Sequence, residues 1–182
     1  RETIHISGFL IPIASIYLLN RYLMAFLIFL VTLFYIVSEL ARMRGYNIPI
    51  ISTITLNAAV KSEMHEFITA PIFFAAGIMI TLVLFSEPVS YASIAILTLG
   101  DGFAELAGRK IGKHIYFYNK GKSVEGSVFG FVVAFLGASL FISPSKAFLG
   151  AAVGMFIESL PAPVNDNLTT PIISGLIMSL IP

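Results

Sequence analysis

The residues of this chain best suited to chemistry are carboxylates, lysines and glycines at the ends of apolar runs. Within residues 100–113, Asp101, Glu105 and Gly108 are spaced by four and three, so they share one face if a helix continues through them. Carboxylate oxygens are the hard ligands that Mg²⁺ prefers. The spacing predicts a magnesium site, with helix packing beside an exposed Glu105–Arg109 pair as the alternative.

A second segment, residues 120–127, places two lysines, two hydroxyls and two glycines at the start of an apolar run. The free N–H groups and positive dipole end of a helix start suit phosphate. The Gly-Lys-Ser tripeptide here is not a Walker A loop, because that motif needs a glycine where Tyr116 stands. Helix capping by Ser123 and Glu125 is the alternative. We predict catalysis by Asp101, Lys122 and Glu105, and nucleotide binding by Gly102, Gly108, Arg109, Lys113, Lys120, Lys122, Ser123, Glu125, Gly126 and Ser127.

A third group of polar residues flanks the last two apolar runs. Gly150, Gly154 and Glu158 fall at i, i+4 and i+8, so a face of small residues leads to a carboxylate. Asp166 and Asn167 stand at the start of the last run, where capping a helix is the alternative to binding a metal. The predicted metal ligands are Asp101, Glu105, Glu158, Asp166 and Asn167.

Residues 61–66 combine a lysine, two glutamates and a histidine. A zinc site is disfavoured, because the His-Glu-x-x-His motif is absent and the chain has only three histidines. The polar start of an interfacial helix is the alternative. Further candidate site residues from this segment and from the first residues of the chain are Arg1, His5, Lys61 and Glu66.

The elements that must position these residues are membrane helices. Apolar residues make up 57% of the chain, charged residues 12%, and mean hydropathy is +0.92, whereas soluble domains are about 45–50% apolar and about 25% charged. A bilayer core needs about 20 apolar residues per helix. The pattern predicts an all-α, polytopic membrane bundle in a single domain, residues 1–182. Its seven spans are expected at 4–19, 22–37, 67–85, 89–99, 124–142, 147–157 and 168–181.

Residues 47–60 are too short to span comfortably and contain Pro49, so we predict a re-entrant or interfacial segment. With that segment returning to its own side, nine basic residues fall on one side of the membrane and two, Arg21 and Lys146, on the other. The positive-inside rule makes the first side cytoplasmic, so we expect the active site on the cytoplasmic face. A balance of 11 basic and 10 acidic residues predicts no nucleic-acid partner.

These features together fit phosphoryl transfer from a soluble nucleotide to a lipid hydroxyl at headgroup depth. Such a reaction needs a divalent metal, cationic groups for the developing charge, and a group that positions the acceptor. Carboxylates, lysines and glycines of this kind converge at one predicted membrane surface, at helix ends.

At these residues the sequence resembles the CTP-dependent lipid kinase family of dolichol kinases, phytol kinases and CTP-dependent diacylglycerol kinases. The resemblance covers nearly the whole chain, including Arg1 with His5 and the segment 61–69. Its most specific motifs are Gly-Asp-Gly at 100–102 with Glu105, Gly108, Arg109 and Gly112, then Lys-Ser-Val-Glu-Gly-Ser at 122–127, and Glu158 with Asp-Asn-Leu-Thr at 166–169.

The resemblance implies CTP as the phosphoryl donor, Mg²⁺ as the metal, and a lipid alcohol as the acceptor, giving a lipid phosphate and CDP. The acceptor classes are polyprenol or dolichol, phytol or geranylgeraniol, and diacylglycerol. The expected partners are CTP, the lipid alcohol and the bilayer, and a homodimer is a candidate assembly. Two alternatives stay open: a cytidylyltransferase that acts on a phospholipid, and an ion-coupled transporter, whose polar groups usually lie near the midplane.

Overall fold

The computed structural model describes residues 2–46 and 66–182, and these residues are helical without a β-strand. The all-α prediction is therefore confirmed for the described residues. The predicted re-entrant segment 47–60 lies outside them. The helices are α1 Glu2–Ser7, α2 Leu10–Tyr17, α3 Arg21–Met43, α4 Ala70–Leu84, α5 Glu87–Ala95, α6 Gly102–Ile111, α7 Val124–Ala138, α8 Pro144–Ser159 and α9 Asp166–Leu180, and a π-helical turn, Ile96–Asp101, joins α5 to α6.

Side-chain caps begin three of these helices. Asn20 caps α3, Ser123 caps α7 by accepting from the Gly126 N–H at 3.2 Å, and Asn165 caps α9. Each cap satisfies a backbone donor that has no partner within its own helix. α4, α5 and α8 instead carry a proline in the first turn, where the missing N–H costs no hydrogen bond. The starts of these six helices are thus specified locally.

The first apolar run, expected as one span over residues 4–19, forms two short helices that break at Gly8 and Phe9. A Cβ atom on Gly8 would lie 2.8 Å from Thr98 Cγ2 and 2.9 Å from Phe74 Cζ. Only glycine fits this close approach without displacing its neighbours. The break leaves α1 against α6 and the π-helical turn, with His5 buried between them.

The centre of the bundle is α5 with the π-helical turn. Ile94, Ile96 and Leu97 are at most 1% exposed, because α4, α7, α8 and α9 surround this continuous helix. The hydroxyls of Ser93 and Thr98 are also buried, and each donates to a carbonyl four residues earlier, so this helix can be buried on every side. The central helix therefore carries Asp101, at its far end, into a position surrounded by other helices.

Small residues on α7 let that helix pack closely on the centre of the bundle. A Cβ atom on Gly126 would lie 2.7 Å from the Ala104 carbonyl oxygen, and one on Gly130 would lie 2.6 Å from the Gly100 carbonyl oxygen. Stripes of small residues allow helix backbones to approach in this way. Gly126 and Gly130 thus form a packing seam between α7 and the chain around Asp101.

One helix among the described residues, α3, is long and apolar enough to cross a membrane by length and composition. It has 23 residues, and large apolar side chains such as Phe26, Phe29 and Phe34 are exposed along it. α4 and α7 are apolar but shorter. The predicted count of seven crossings is not confirmed by these lengths.

Candidate active site

Asp101 is the last residue of the π-helical turn and directly precedes α6. π-helical turns are rare and occur frequently at functional sites. The Asp101 side chain is 7% exposed, and the ten residues before it in the chain carry no charge. A buried carboxylate must be paired or bind a cation, so its neighbours decide what this residue does.

Lys122 lies in the loop between α6 and α7, which folds back on itself as a narrow hairpin. Ile115 and Ser123 form an isolated antiparallel bridge, and the Lys122 carbonyl accepts from the Tyr116 N–H at 3.2 Å. Because Ser123 also caps α7, the backbone on both sides of Lys122 is held. The hairpin therefore fixes the position of the Lys122 backbone.

Three carboxylates from three separate elements surround the Lys122 ammonium. Nζ lies 3.3 Å from Asp101 Oδ1 and 3.3 Å from Asp166 Oδ2, and it contacts Glu158 Oε1. One oxygen of each carboxylate lies within 4.8 Å of the others. We call Asp101, Lys122, Glu158 and Asp166 the acidic cluster. Counting the ammonium as +1 and each carboxylate as −1 gives this cluster a formal charge of −2, and burial raises the pKa of Glu158 to about 7.

The charge on Lys122 is stabilised by the cluster. Burial alone lowers the pKa of Lys122, but the negative charges of Asp101, Glu158 and Asp166 outweigh burial and raise the pKa above its ordinary value. Lys122 is therefore positively charged at neutral pH. Its side chain remains 23% exposed, so the ammonium is accessible from the cavity beside it.

The acidic cluster suits a hard divalent cation such as Mg²⁺. Glu158 Oε2 and both polar side-chain atoms of Asn167 are buried without a hydrogen-bond partner in the described part of the chain. A buried polar atom without a partner costs about 1–3 kcal/mol, and in native proteins it calls for a water or an ion. Carboxylate and amide oxygens are ligands that Mg²⁺ accepts. Asp101, Glu158, Asp166 and Asn167 thus fit such an ion.

A histidine from the other end of the chain holds the second oxygen of Asp101. His5 Nδ1 lies 2.8 Å from Asp101 Oδ2, and both side chains are buried. The His5 ring also packs against Phe74, with ring centroids 4.7 Å apart. Asp101 therefore has the Lys122 ammonium beside one oxygen and the His5 ring beside the other.

A cavity of about 340 Å³ opens beside the acidic cluster, and we call it the acidic cavity. Arg109 stands at its rim, 63% exposed, where it binds Glu105 and Glu2, each at 2.6 Å. The cavity thus has an acidic floor that suits a metal ion, and its rim carries a guanidinium, paired with two glutamates, of the kind that binds phosphate. The predicted site residues that line it are Asp101, Glu105, Gly108, Arg109, Lys122, Ser123, Ser127 and Glu158.

Other residues predicted to bind nucleotide lie away from this cavity. Gly102 faces α1, since a Cβ atom there would lie 2.7 Å from Ile6 Cγ1. Gly126 packs against α6, as described above. Lys113 and Lys120 are exposed on the hairpin and do not line the acidic cavity. These residues therefore surround the site without contacting its interior.

Glu125 holds the hairpin. Its carboxylate accepts from the Lys113 N–H and the His114 N–H, each at 3.1 Å, and lies 2.5 Å from His114 Nδ1. These bonds join the first turn of α7 to residues 113 and 114, at the start of the hairpin. The contacts of Glu125 are thus structural ones within the loop.

Of the remaining candidates, Arg1 and Lys61 lie outside the described residues. Glu66 is described, and its backbone carbonyl accepts from Arg42 at 2.6 Å. Glu105, predicted as a metal ligand, is not among the three gathered carboxylates, because its side chain pairs with Arg109. The i, i+4 pair that the sequence offered as the alternative for these two residues is present.

Three residues that were not among the predicted site residues attach the hairpin to α8. Asn119 Nδ2 donates to the Ser159 carbonyl at 3.0 Å, and the Tyr118 hydroxyl lies 3.3 Å from Ser159 Oγ. Ser159 follows Glu158 directly, so these contacts hold the hairpin, and Lys122 within it, next to Glu158. No spacing rule connects residues 40 positions apart, and only the fold reveals the pairing.

The most informative comparison is with curated proteins. The chain is 35% identical over 147 residues to a probable chloroplastic phytol kinase 3 from Glycine max, covering 68% of this chain and 46% of that protein. It is 26% identical over 140 residues to a probable chloroplastic phytol kinase from Triticum aestivum, covering 66% and 47%. It is 29% identical over 132 residues to a chloroplastic farnesol kinase from Arabidopsis thaliana, covering 63% and 43%.

The chain spans about half the length of the curated relatives it matches. No protein-family model matches it, and no solved structure matches it significantly. The resemblance stated from the motifs is nevertheless confirmed, because relatives named for the same chemistry align with about two thirds of the chain. This protein is therefore a homologue of phytol and farnesol kinases and belongs to the CTP-dependent lipid kinase family.

Proposed function

We propose that this chain is the catalytic core of a membrane lipid kinase, which transfers the γ-phosphoryl group of CTP to the hydroxyl of an isoprenoid alcohol. The observation that carries the proposal is the acidic cluster, in which three carboxylates and one lysine from four segments meet beside a cavity. The relatives named phytol kinase and farnesol kinase support the acceptor class. The resemblance to CTP-dependent kinases supports the donor.

The nucleotide phosphates would bind in the acidic cavity. Asp101, Glu158, Asp166 and Asn167 would hold Mg²⁺, which supplies charge neutralisation to the polyphosphate when it is bound. Lys122 and Arg109 would balance the remaining phosphate charge from the floor and the rim. Ser123 and Ser127, which line the cavity, offer hydroxyl donors to phosphate oxygens.

The transfer itself requires one proton to leave the acceptor. The alcohol oxygen forms a bond to the γ-phosphorus, the bond from that phosphorus to the β–γ bridging oxygen breaks, and CDP departs. The proton of the alcohol passes to a carboxylate. Asp101 is our candidate for that role, because it is a buried carboxylate that lines the acidic cavity and has His5 and Lys122 beside its two oxygens.

We further propose a multi-pass membrane protein whose acidic cavity opens on the cytoplasmic face. The distribution of basic residues, nine against two, supports this orientation. The length and composition of α3 support membrane attachment. A soluble nucleotide would then meet a lipid alcohol at headgroup depth.

Two labels on CTP test the reaction. Purified protein is incubated with Mg²⁺, CTP and a panel of phytol, farnesol, geranylgeraniol, dolichol, diacylglycerol and, as the acceptor of a cytidylyltransferase, phosphatidate. A kinase moves the label of γ-labelled CTP into the lipid and leaves that of α-labelled CTP in CDP. Transfer of the α-label into lipid with release of pyrophosphate would instead establish a cytidylyltransferase, and absence of label in every lipid would refute both. ATP in place of CTP is the donor control.

A further inference from the structure

A second cavity lies between α7 and α8, next to the acidic cavity, and we call it the α7–α8 groove. Its volume is about 250 Å³. Its walls are apolar over most of their length, with Val128 and Phe131 from α7 and Ala152, Met155 and Phe156 from α8. The groove thus offers a lining that matches a hydrocarbon chain rather than a nucleotide.

One end of the α7–α8 groove is polar. Ser127, Ser159 and Tyr118 line that end, and the Tyr118 hydroxyl lies 3.3 Å from Ser159 Oγ. Ser127 lines the acidic cavity as well, and Ser159 follows Glu158 directly. The polar end of the groove therefore adjoins the acidic cluster.

The other end of the groove leads to a group of packed aromatic rings. Phe131 meets Phe148 edge to face at 5.4 Å between ring centroids, and Phe135 meets Phe148 at 6.0 Å. Along its side the groove is open, because Val128 and Phe156 are 57% and 60% exposed. A chain in the groove would leave it sideways, toward the surface where lipid would lie in a membrane-embedded protein.

We infer that the α7–α8 groove binds the alcohol end of the isoprenoid acceptor, with its hydroxyl between Ser127 and Glu158 and its hydrocarbon along Val128 and Phe131. The inference rests on the proposed function and assigns the acceptor's binding site within it. The ligand is an amphiphile with one hydroxyl at the end of a hydrocarbon chain. The polar end of the groove matches the hydroxyl of the alcohol, and the apolar walls match its hydrocarbon. The groove is also continuous with the acidic cavity.

A larger apolar groove, of about 360 Å³, lies between α3 and α4 and is lined by residues such as Leu27, Val31 and Pro71. None of its described lining residues lines the acidic cavity. The hydroxyl of a lipid bound there would lie away from the acidic cluster. Size alone therefore does not select the acceptor site, and this groove serves as the rival in the test.

Photolabelling tests the location without requiring turnover. A diazirine-bearing isoprenoid alcohol is bound to the purified protein in nanodiscs, irradiated, and mapped by mass spectrometry. The expected labels fall within residues 127–131 and 152–159, and excess unlabelled farnesol removes them. Labels concentrated on α3 and α4 would overturn the inference.

Matched variants test the same site by kinetics. Val128→Phe fills the groove, whereas Val132→Phe adds the same ring one turn along α7 at a similarly exposed valine, 45% against 57%, that does not line the groove. We expect Val128→Phe to raise the KM for the isoprenoid alcohol about tenfold, the effect of losing roughly one to two buried methylenes, with KM for CTP unchanged. Ala152→Phe, from the opposite wall, should do the same if Val128→Phe fails to fold.

The outcomes separate the two proposals. An unchanged alcohol KM in both groove variants, or equal effects of Val128→Phe and Val132→Phe, would refute the acceptor site. Labelling of the groove in a protein that phosphorylates no alcohol would refute the kinase and leave the groove as an isoprenoid-binding site. Phosphorylation with labels elsewhere would refute the groove and leave the kinase.

Discussion

Two ionic groups in the interior of this molecule differ in their balance of positive and negative charge. At the end of α3, Arg42 binds Glu39 through two nitrogens, at 2.9 and 2.5 Å, and Glu39 also accepts from the Ile68 N–H at 2.9 Å. Here, within residues 2–46 and 66–182, one guanidinium meets one carboxylate. In the acidic cluster one ammonium meets three carboxylates, and Glu158 Oε2 has no partner among the described residues.

The difference separates a structural ion pair from a binding site. The Glu39–Arg42 pair is neutral, and Arg42 also donates to the Glu66 carbonyl, so the pair ties α3 to the chain that precedes α4. The acidic cluster keeps an excess of negative charge and unused oxygen ligands. Because burying unbalanced charge is costly, the excess is consistent with a cation that binds there. The two groups should therefore respond in opposite ways to mutation.

The largest expected effect is on turnover. Asp101→Asn removes a carboxylate from the acidic cluster while keeping its shape, and we expect phosphoryl transfer to fall about 10²–10⁴-fold, the range for loss of a positioned acid–base group. The measurement is initial rate with γ-labelled CTP at saturating alcohol. Retained turnover would remove Asp101 from the mechanism, and an unchanged unfolding temperature excludes loss of fold as the cause.

Breaking the Glu39–Arg42 pair should instead lower the stability of the fold. Glu39→Gln removes the carboxylate that Arg42 contacts among the described residues, and loss of one partner of a buried pair costs about 3–5 kcal/mol. We expect a lower unfolding temperature in detergent and an unchanged kcat for the folded fraction. A variant with normal stability and lost activity would reverse the assignment of the two groups.

Removing the lysine from the acidic cluster should strengthen cation binding. Lys122→Met deletes the only ammonium that contacts the three carboxylates among the described residues, so Mn²⁺ should bind about tenfold more tightly, corresponding to about 1.4 kcal/mol. Titration followed by electron paramagnetic resonance measures this without nucleotide. Lys120→Met, an exposed lysine on the same hairpin, is the control. Weaker Mn²⁺ binding in Lys122→Met would mean that the lysine builds the site rather than competing for it.

The smallest effect is expected at the rim. Glu105 pairs with Arg109, whose side chain is 63% exposed, and exposed pairs contribute about 0.2–1 kcal/mol. Glu105→Gln should therefore change the free energy of unfolding by no more than this amount, as measured by denaturant titration. A loss as large as that of Glu39→Gln would contradict the ranking of the two pairs.

Much of the fold could be predicted from local patterns. The apolar runs at 22–37, 67–85, 124–142, 147–157 and 168–181 correspond to α3, α4, α7, α8 and α9, because each run is bounded by polar or proline residues that begin or end a helix. The division of the first run at Gly8 could not be predicted, since it depends on the close approach of Thr98 and Phe74 from other elements.

The candidate site divides in a similar way. The residue types of Asp101, Lys122, Glu158 and Asp166 were sufficient to nominate them, since carboxylates and lysines at the ends of apolar runs are rare. Which of them meet depends on contacts between distant segments, as in the bond from Asn119 to Ser159. Glu105 and Glu125 show the limit. The sequence offered the Glu105–Arg109 pair only as the alternative to metal binding, and for Glu125 it offered helix capping rather than the bonds to the hairpin backbone.

The most direct test of the account compares Mn²⁺ binding in Glu158→Gln and Glu105→Gln, two identical changes at glutamates that line the same cavity. Without nucleotide, the bound-Mn²⁺ resonance should disappear in Glu158→Gln and persist at wild-type affinity in Glu105→Gln. Equal binding by both variants, or loss of binding only in Glu105→Gln, would contradict a cation site formed by Asp101, Glu158 and Asp166.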